Sequence, residues 1–353
     1  MLMKHFLLFA LVFTIFFSQA QTIDVEAVTA YWKLVDGLRK GQPLTDSVWD
    51  AFIAIEGNKT YAESEFTPEM QKSYRRAIEV AYLPKHDTTL KKWLKAGYWY
   101  TVLANRYKIE EEQLKRYLAD TIRQPGYFQR GYAYVYEYLP RRARHPLPDI
   151  HLYYNCLAAD AVSYPNGLFF SLLACEENKL SKAGTLEAHE LHHRMRPAMD
   201  IGGERSRAGG IAAADTGLLW AIMAIPNEGI ADMIDKTWEL ARPGDPGGIE
   251  EWLLKPAPEA LRKLDSAICS EEAGNKKFYR QLLQGTVGHM PGFYMARVIC
   301  GNGYKKRMIN SSDNPFTFFF LYQRAAAKDK HHPYKFSAQA MSRLRALGDK
   351  YKS

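Results

Sequence analysis

Apolar residues recur at helical spacing through the first third of the chain. Val28, Tyr31, Trp32, Val35 and Leu38 fall three and four apart, the stripe that a helix turns towards a core. Gly41, Pro43 and Thr45 interrupt it, and a short helix is predicted over 48–55. Thr67-Pro68-Glu69 reads as a helix start, with Thr67 as N-cap and Pro68 at the first helical position. One or two more helices follow over 87–121, so residues 22 to about 140 read as helical. The aromatic stretch 127–138 is read as core packing in preference to a stacking surface for a ligand.

The pattern changes near residue 149. Apolar, β-prone runs at 150–156, 161–164 and 168–173, with a Pro165-Asn166-Gly167 turn, predict two or three strands. Helical spacing returns over 185–196, where Pro197 stops it. Asp215 is read as the cap of an apolar helix running towards Asp235, bent or restarted at Pro226. Helical patterns resume near Glu250, Pro258 and Asn275, and the chain ends in a basic helix. No internal repeat is present.

With 353 residues and 47% hydrophobic content, the chain can build one large domain or two modest ones. The net charge of +8 is spread out. Its densest cluster, Arg141-Arg142-Ala143-Arg144-His145, reads as a solvated loop. No nucleic-acid module is found, so nucleic acid is not an expected partner. Lys4 and His5, the apolar run 6–17 and the Ser18-Gln19-Ala20 exit read as a signal peptide cleaved after Ala20. The run falls short of the roughly 20 apolar residues of a membrane span. The expected location is therefore periplasmic or secreted, with no transmembrane span after cleavage. The expected layout is a signal peptide at 1–20, a helical N-terminal region at 21–148 and a catalytic region at 149–353. Cys156, Cys175, Cys269 and Cys300 could form two disulfides or stay as buried thiols, and their spacing does not suggest metal binding.

The sharpest motif is His189-Glu190-Leu191-His192-His193, an H-E-x-x-H pattern. Residues four apart share a helix face, so His189 and His193 can reach one metal ion while Glu190 meets a water beside it. Imidazole and carboxylate ligands with an open fourth position suit zinc. His192 points off that face and is expected to be buried or hydrogen-bonded. Asn227-Glu228-Gly229-Ile230-Ala231-Asp232 is the best source of a third ligand. Glu228 would ligate, and Asp232, four residues on, would orient a ligating imidazole from outside, with Asn227 beside it. The segment Gly288 to Tyr294 offers His289 and Tyr294 as donors to an oxyanion.

The two motifs together resemble the gluzincin superfamily of zinc peptidases. In thermolysin-like and aminopeptidase-like members, the H-E-x-x-H helix is followed by a helix with a sequence like N-E-[GA]-x-[AS]-D. The longer gap here between His193 and Glu228 suggests an insertion around the glycine-rich loop at 202–210. The whole layout is also similar to a family of uncharacterised zinc peptidases common in Bacteroidetes, with HExHH, EGxAD and a late GHxxG segment. The resemblance implies an α+β, predominantly α-helical fold with a zincin-like (thermolysin-like) catalytic unit, a small β-sheet and a helical N-terminal region. It implies one Zn2+ per chain on His189, His193 and Glu228, with Glu190 as general base for hydrolysis of a peptide or protein substrate. A late His or Tyr, here His289 or Tyr294, would steady the oxyanion. The strand at 168–173 would be an edge strand that pairs with extended substrate. Alternative readings are a zinc hydrolase of another amide or ester, an exported binding protein with structural zinc, and a latent enzyme covered by its N-terminal helices.

Overall fold

The computed structural model describes residues 22–199, 201, 210–242, 248–283 and 286–351. The expected signal peptide, and positions 202–209 and 243–247 of the two glycine-containing loops, lie outside the described residues. The chain divides into two compact units: the part up to Tyr127 with Pro146–Glu177, and Phe128–His145 with Asn178 onward.

The first unit begins with strand β1 (Thr22–Asp24). It continues through α1 (Glu26–Arg39), α2 (Asp46–Ile53), α3 (Glu56–Glu65), α4 (Pro68–Tyr82), α5 (Asp87–Lys95), α6 (Trp99–Ile109) and α7 (Glu111–Tyr117). The starts of α2 and α4 follow from local chemistry. The Thr45 and Thr67 hydroxyls accept from the Val48 and Met70 amides, and Pro68 sits where its missing N–H costs nothing. Strands β2 (His151–Asn155), β3 (Ala161–Tyr164) and β4 (Gly167–Ser171) complete a sheet of order β1-β2-β4-β3. β3 and β4 form the hairpin that Pro165-Asn166-Gly167 announces, with Tyr164 opposite Gly167.

Two expectations change here. Residues 22–24 are not helical but pair in parallel with β2, Thr22 opposite His151. That partner lies more than a hundred residues away, so no local pattern signals it. β4 is not an edge strand: it lies between β2 and β3 and is buried along its length, so its main chain is already paired. The sheet lies in the same compact unit as the N-terminal helices, where α1 and α3 pack on β2.

The second unit contains α8 (Tyr127–Tyr136), apart from its first residue, and the later part of α9 (Leu172–Lys182), within which the chain passes between units. It continues with α10 (Thr185–Met195), α11 (Thr216–Ala241), α12 (Ala257–Cys269), α13 (Lys276–Leu282), α14 (His289–Gly301), α15 (Lys305–Asn310), α16 (Pro315–Ala326) and α17 (Ala338–Lys350). The aromatic stretch is core, as expected: Phe128, Tyr132 and Tyr138 are buried. α11 is the hub and packs on α10, α13, α14 and α16. It runs through Pro226 without restarting. Asp215 stands at its N-cap position, but its carboxylate makes no cap. It accepts from Lys350 Nζ and the Tyr351 hydroxyl, both at 2.7 Å.

α11 and α14 approach through glycine. A Cβ on Gly229 would lie 2.2 Å from the Gly292 carbonyl carbon, and one on Gly292 2.2 Å from the Ile225 oxygen. These are the glycines of EGxAD and GHxxG, so both motifs encode a helix crossing as well as chemistry. Cys156, Cys269 and Cys300 are free thiols, which leaves no disulfide among the described residues. No helix among the described residues is long and apolar enough to cross a membrane.

Candidate metal centre

The second unit brings His189, Glu190, His193, Glu228, Asp232 and His289 together from three helices. α10 starts on Asn178, whose Oδ1 accepts from the Leu186 amide at 3.1 Å and the Thr185 hydroxyl at 2.9 Å. It ends at Arg196, whose extended backbone is what a residue before proline adopts. His189 and His193 lie one turn apart, with ring centroids 4.9 Å apart.

The ring nitrogens are paired in a consistent way. His189 Nδ1 lies 3.1 Å from Asp235 Oδ1, and His289 Nδ1 lies 3.0 and 3.1 Å from the two Asp232 oxygens. Carboxylates only accept, so both Nδ1 atoms carry hydrogen, and each ring turns its Nε2 to Glu228. His193 Nδ1 lies 3.3 Å from Asn227 Oδ1, and Asn227 Nδ2 donates to Glu228 Oε1 at 2.8 Å. Asn227 thereby orients one imidazole and one carboxylate at once.

All three Nε2 atoms then meet the other oxygen of Glu228. Oε2 lies 3.6 Å from His189, 3.3 Å from His193 and 3.4 Å from His289. Three imidazole nitrogens around one carboxylate oxygen are held together by positive charge, whether a proton or a metal ion. With zinc–ligand bonds of about 2.0–2.2 Å, neighbouring ligands of a tetrahedral ion stand about 3.3 Å apart, close to the separations found. Three trios among the described residues offer ligand atoms within 4.8 Å of one another: His189, Glu190 and His193; His189, Glu228 and His289; and His189, Asp232 and Asp235. The donor set therefore fits zinc.

The electrostatics favour positive charge within the cluster. Burial alone would lower the His189 imidazole, but Asp235, with Glu228 and Glu190, outweighs it and the pKa is raised. His289 behaves likewise, with Asp232 and Glu228 together outweighing burial. Burial would raise the Glu228 carboxyl, yet the imidazoles, His193 foremost, hold it well below its ordinary value. Glu190 is raised, mainly by burial. His192 is fully buried and held neutral by that burial, in line with its expected exclusion from ligation.

Two placements depart from expectation. Tyr294 is not brought into the cluster: its electrostatic neighbours are Asp329 and Tyr322. Five residues from His289 is well over a third of a turn out of phase on the same helix. Asp232 reaches an imidazole as expected, but lies closer to His289 than to His189, at 3.0 against 3.7 Å. The carboxylate on His189 is Asp235, which sequence reasoning missed. Its spacing was the available signal, since Glu228, Asp232 and Asp235 recur at i, i+4 and i+7 on one face. Lys236 Nζ holds the other Asp235 oxygen at 2.8 Å and Glu239 at 3.1 Å.

A family model described as "Putative zinc dependent peptidase (DUF5700)" matches residues 49–331. Neither a curated protein nor a solved structure matches the chain.

Proposed function

Because the chain belongs to this family, described as zinc-dependent peptidases, we propose that it is a gluzincin-type zinc metallopeptidase. In this reading His189, His193 and Glu228 hold one zinc ion. The observation that carries it is the convergence of imidazole Nε2 atoms on Glu228 Oε2. Zinc bound there supplies a Lewis acid that polarises a carbonyl and acidifies water. Glu190, adjacent on α10, takes the proton from the attacking water and returns it to the leaving nitrogen. Its buried carboxyl, with pKa raised by that burial, suits a group that must both accept and give. His289, clamped by Asp232, is the donor to the developing oxyanion. The basic start, apolar run and small-residue exit at 1–20 support action outside the cytoplasm.

The first test is metal content of purified protein. Wild type is expected to carry one zinc, and Glu228→Ala to lose most of it. Glu190→Gln should keep zinc while peptide turnover falls by about 10²- to 10⁴-fold. Full turnover in zinc-loaded Glu190→Gln would remove the assigned base.

One observation favours a second reading. His289 Nε2 stands as close to Glu228 as the two H-E-x-x-H imidazoles do. If His289 is a fourth ligand, the site is closed and the zinc structural, as in a binding protein. His289→Ala separates the two: zinc retained with turnover lost supports the enzyme, and zinc lost supports the closed site.

A further inference from the structure

Beside the cluster stands a cation that the mechanism does not use. Arg196 follows His189 by seven residues and His193 by three, and its amide still donates to the His192 carbonyl at 2.9 Å. Its Cβ therefore stays on the helical path, on the face that carries the two imidazoles. The side chain is partly covered, its Nη1 is fully buried, and that nitrogen has no hydrogen-bond partner among the described residues. Burial pushes the guanidinium down to about 10, and the charge opposing that fall is Glu228.

A buried guanidinium nitrogen without an acceptor is costly, and such groups are ordinarily found paired. The carboxylate that acts on it, Glu228, is already engaged with Asn227 and the imidazoles. A planar fork with an open N–H, one helical turn past a zinc-binding imidazole, is matched in shape and charge by a carboxylate.

We propose that Arg196 binds a carboxylate of the peptide substrate and so sets a preference for substrates carrying one near the scissile bond. This rests on the peptidase reading above. The carboxylate comes either from the substrate's own C-terminus or from an Asp or Glu side chain. Arg196 is a specificity residue here, and the bond-breaking steps remain those of Glu190 and His289.

The test uses full-length, zinc-loaded Glu190→Gln protein, so that bound peptide is not consumed. Fluorescence anisotropy follows one labelled alanine-rich pentapeptide in four forms. These are the free acid, the C-terminal amide, and amides bearing a single Glu or a single Gln. A favourable charge-assisted pair predicts that a carboxylate form binds about tenfold or more tighter than its neutral match. A preference for free acid over amide identifies the C-terminus, and one for Glu over Gln identifies a side chain. Adding Arg196→Gln should bring that ratio close to one. Arg196→Lys, which keeps charge but not the fork, should give an intermediate ratio and guards against a misfolded variant, as does zinc content measured on each protein. Equal binding of all four forms, or a ratio unmoved by Arg196→Gln, overturns the proposal. If wild type cleaves peptides with no carboxylate dependence, Arg196 fails while the peptidase reading stands. If no form binds and none is cleaved, both fail together.

Discussion

The two units both bury polar side chains, but of different kinds. In the first unit the deep polar groups are chiefly neutral. The Tyr74 hydroxyl donates to the Cys156 carbonyl, Tyr107 bonds the Ala158 carbonyl and Ser171 at 2.8 Å each, and Asn58 donates to the Phe52 carbonyl at 2.9 Å. In the second unit they are chiefly ionisable, and His189, Glu190, Asp232 and Asp235 are all buried. Neutral hydrogen bonds tie loops and strands to a core at modest net gain. Buried charges are expensive unless each has a partner, and clustering them makes sense where a cation is to be held. The difference separates a core built for folding from one built for chemistry.

The strongest way to break the comparison is at the helix crossing beneath the cluster. In Gly229→Ala the new methyl meets Gly292 backbone, which cannot yield as a side chain can. The expected cost is about 3 kcal/mol or more, or about 10 °C in Tm, with zinc binding lost as well because Glu228 is displaced. Near-native Tm by calorimetry would show that α11 and α14 are less tightly apposed. Asp235→Asn is subtler. Asn still fills the space but no longer offers a carboxylate to His189, so zinc affinity should fall about 10- to 100-fold in a chelator competition. Tyr74→Phe is the counterpart in the first unit. It strands the Cys156 carbonyl and should cost about 1 kcal/mol while leaving zinc stoichiometry at one. A change in zinc content would end the division of labour argued here.

The smallest effect is a pH dependence in the first unit. Burial would raise the Glu111 carboxyl above 4.5, but Arg39 and Lys115 together outweigh it and the pKa is lowered. A lowered folded pKa gives stability that is complete above the unfolded value and is lost as pH falls towards the folded one. Glu111→Gln should therefore lower Tm slightly at neutral pH and flatten its decline below about pH 4.5. An unchanged acid limb in Tm-against-pH measurements would remove this pair from the account.

Much of the candidate site was legible beforehand because helical periodicity is local. Four-residue spacing put His189 with His193 and Glu228 with Asp232, and the Thr67-Pro68 start and the Pro165-Asn166-Gly167 hairpin are equally local devices. The sequence by itself determined these faces, caps and turns, since each depends on residues within about one or two helical turns. Tertiary structure decided the rest. It chose His289 over Tyr294 for the cluster, gave Asp235 to His189 and Asp232 to His289, paired residues 22–24 with β2, and closed β4 on both sides. Those outcomes depend on which helix faces meet and which distant strands pair. They are settled by packing between segments far apart in sequence, of which a periodic pattern carries no record.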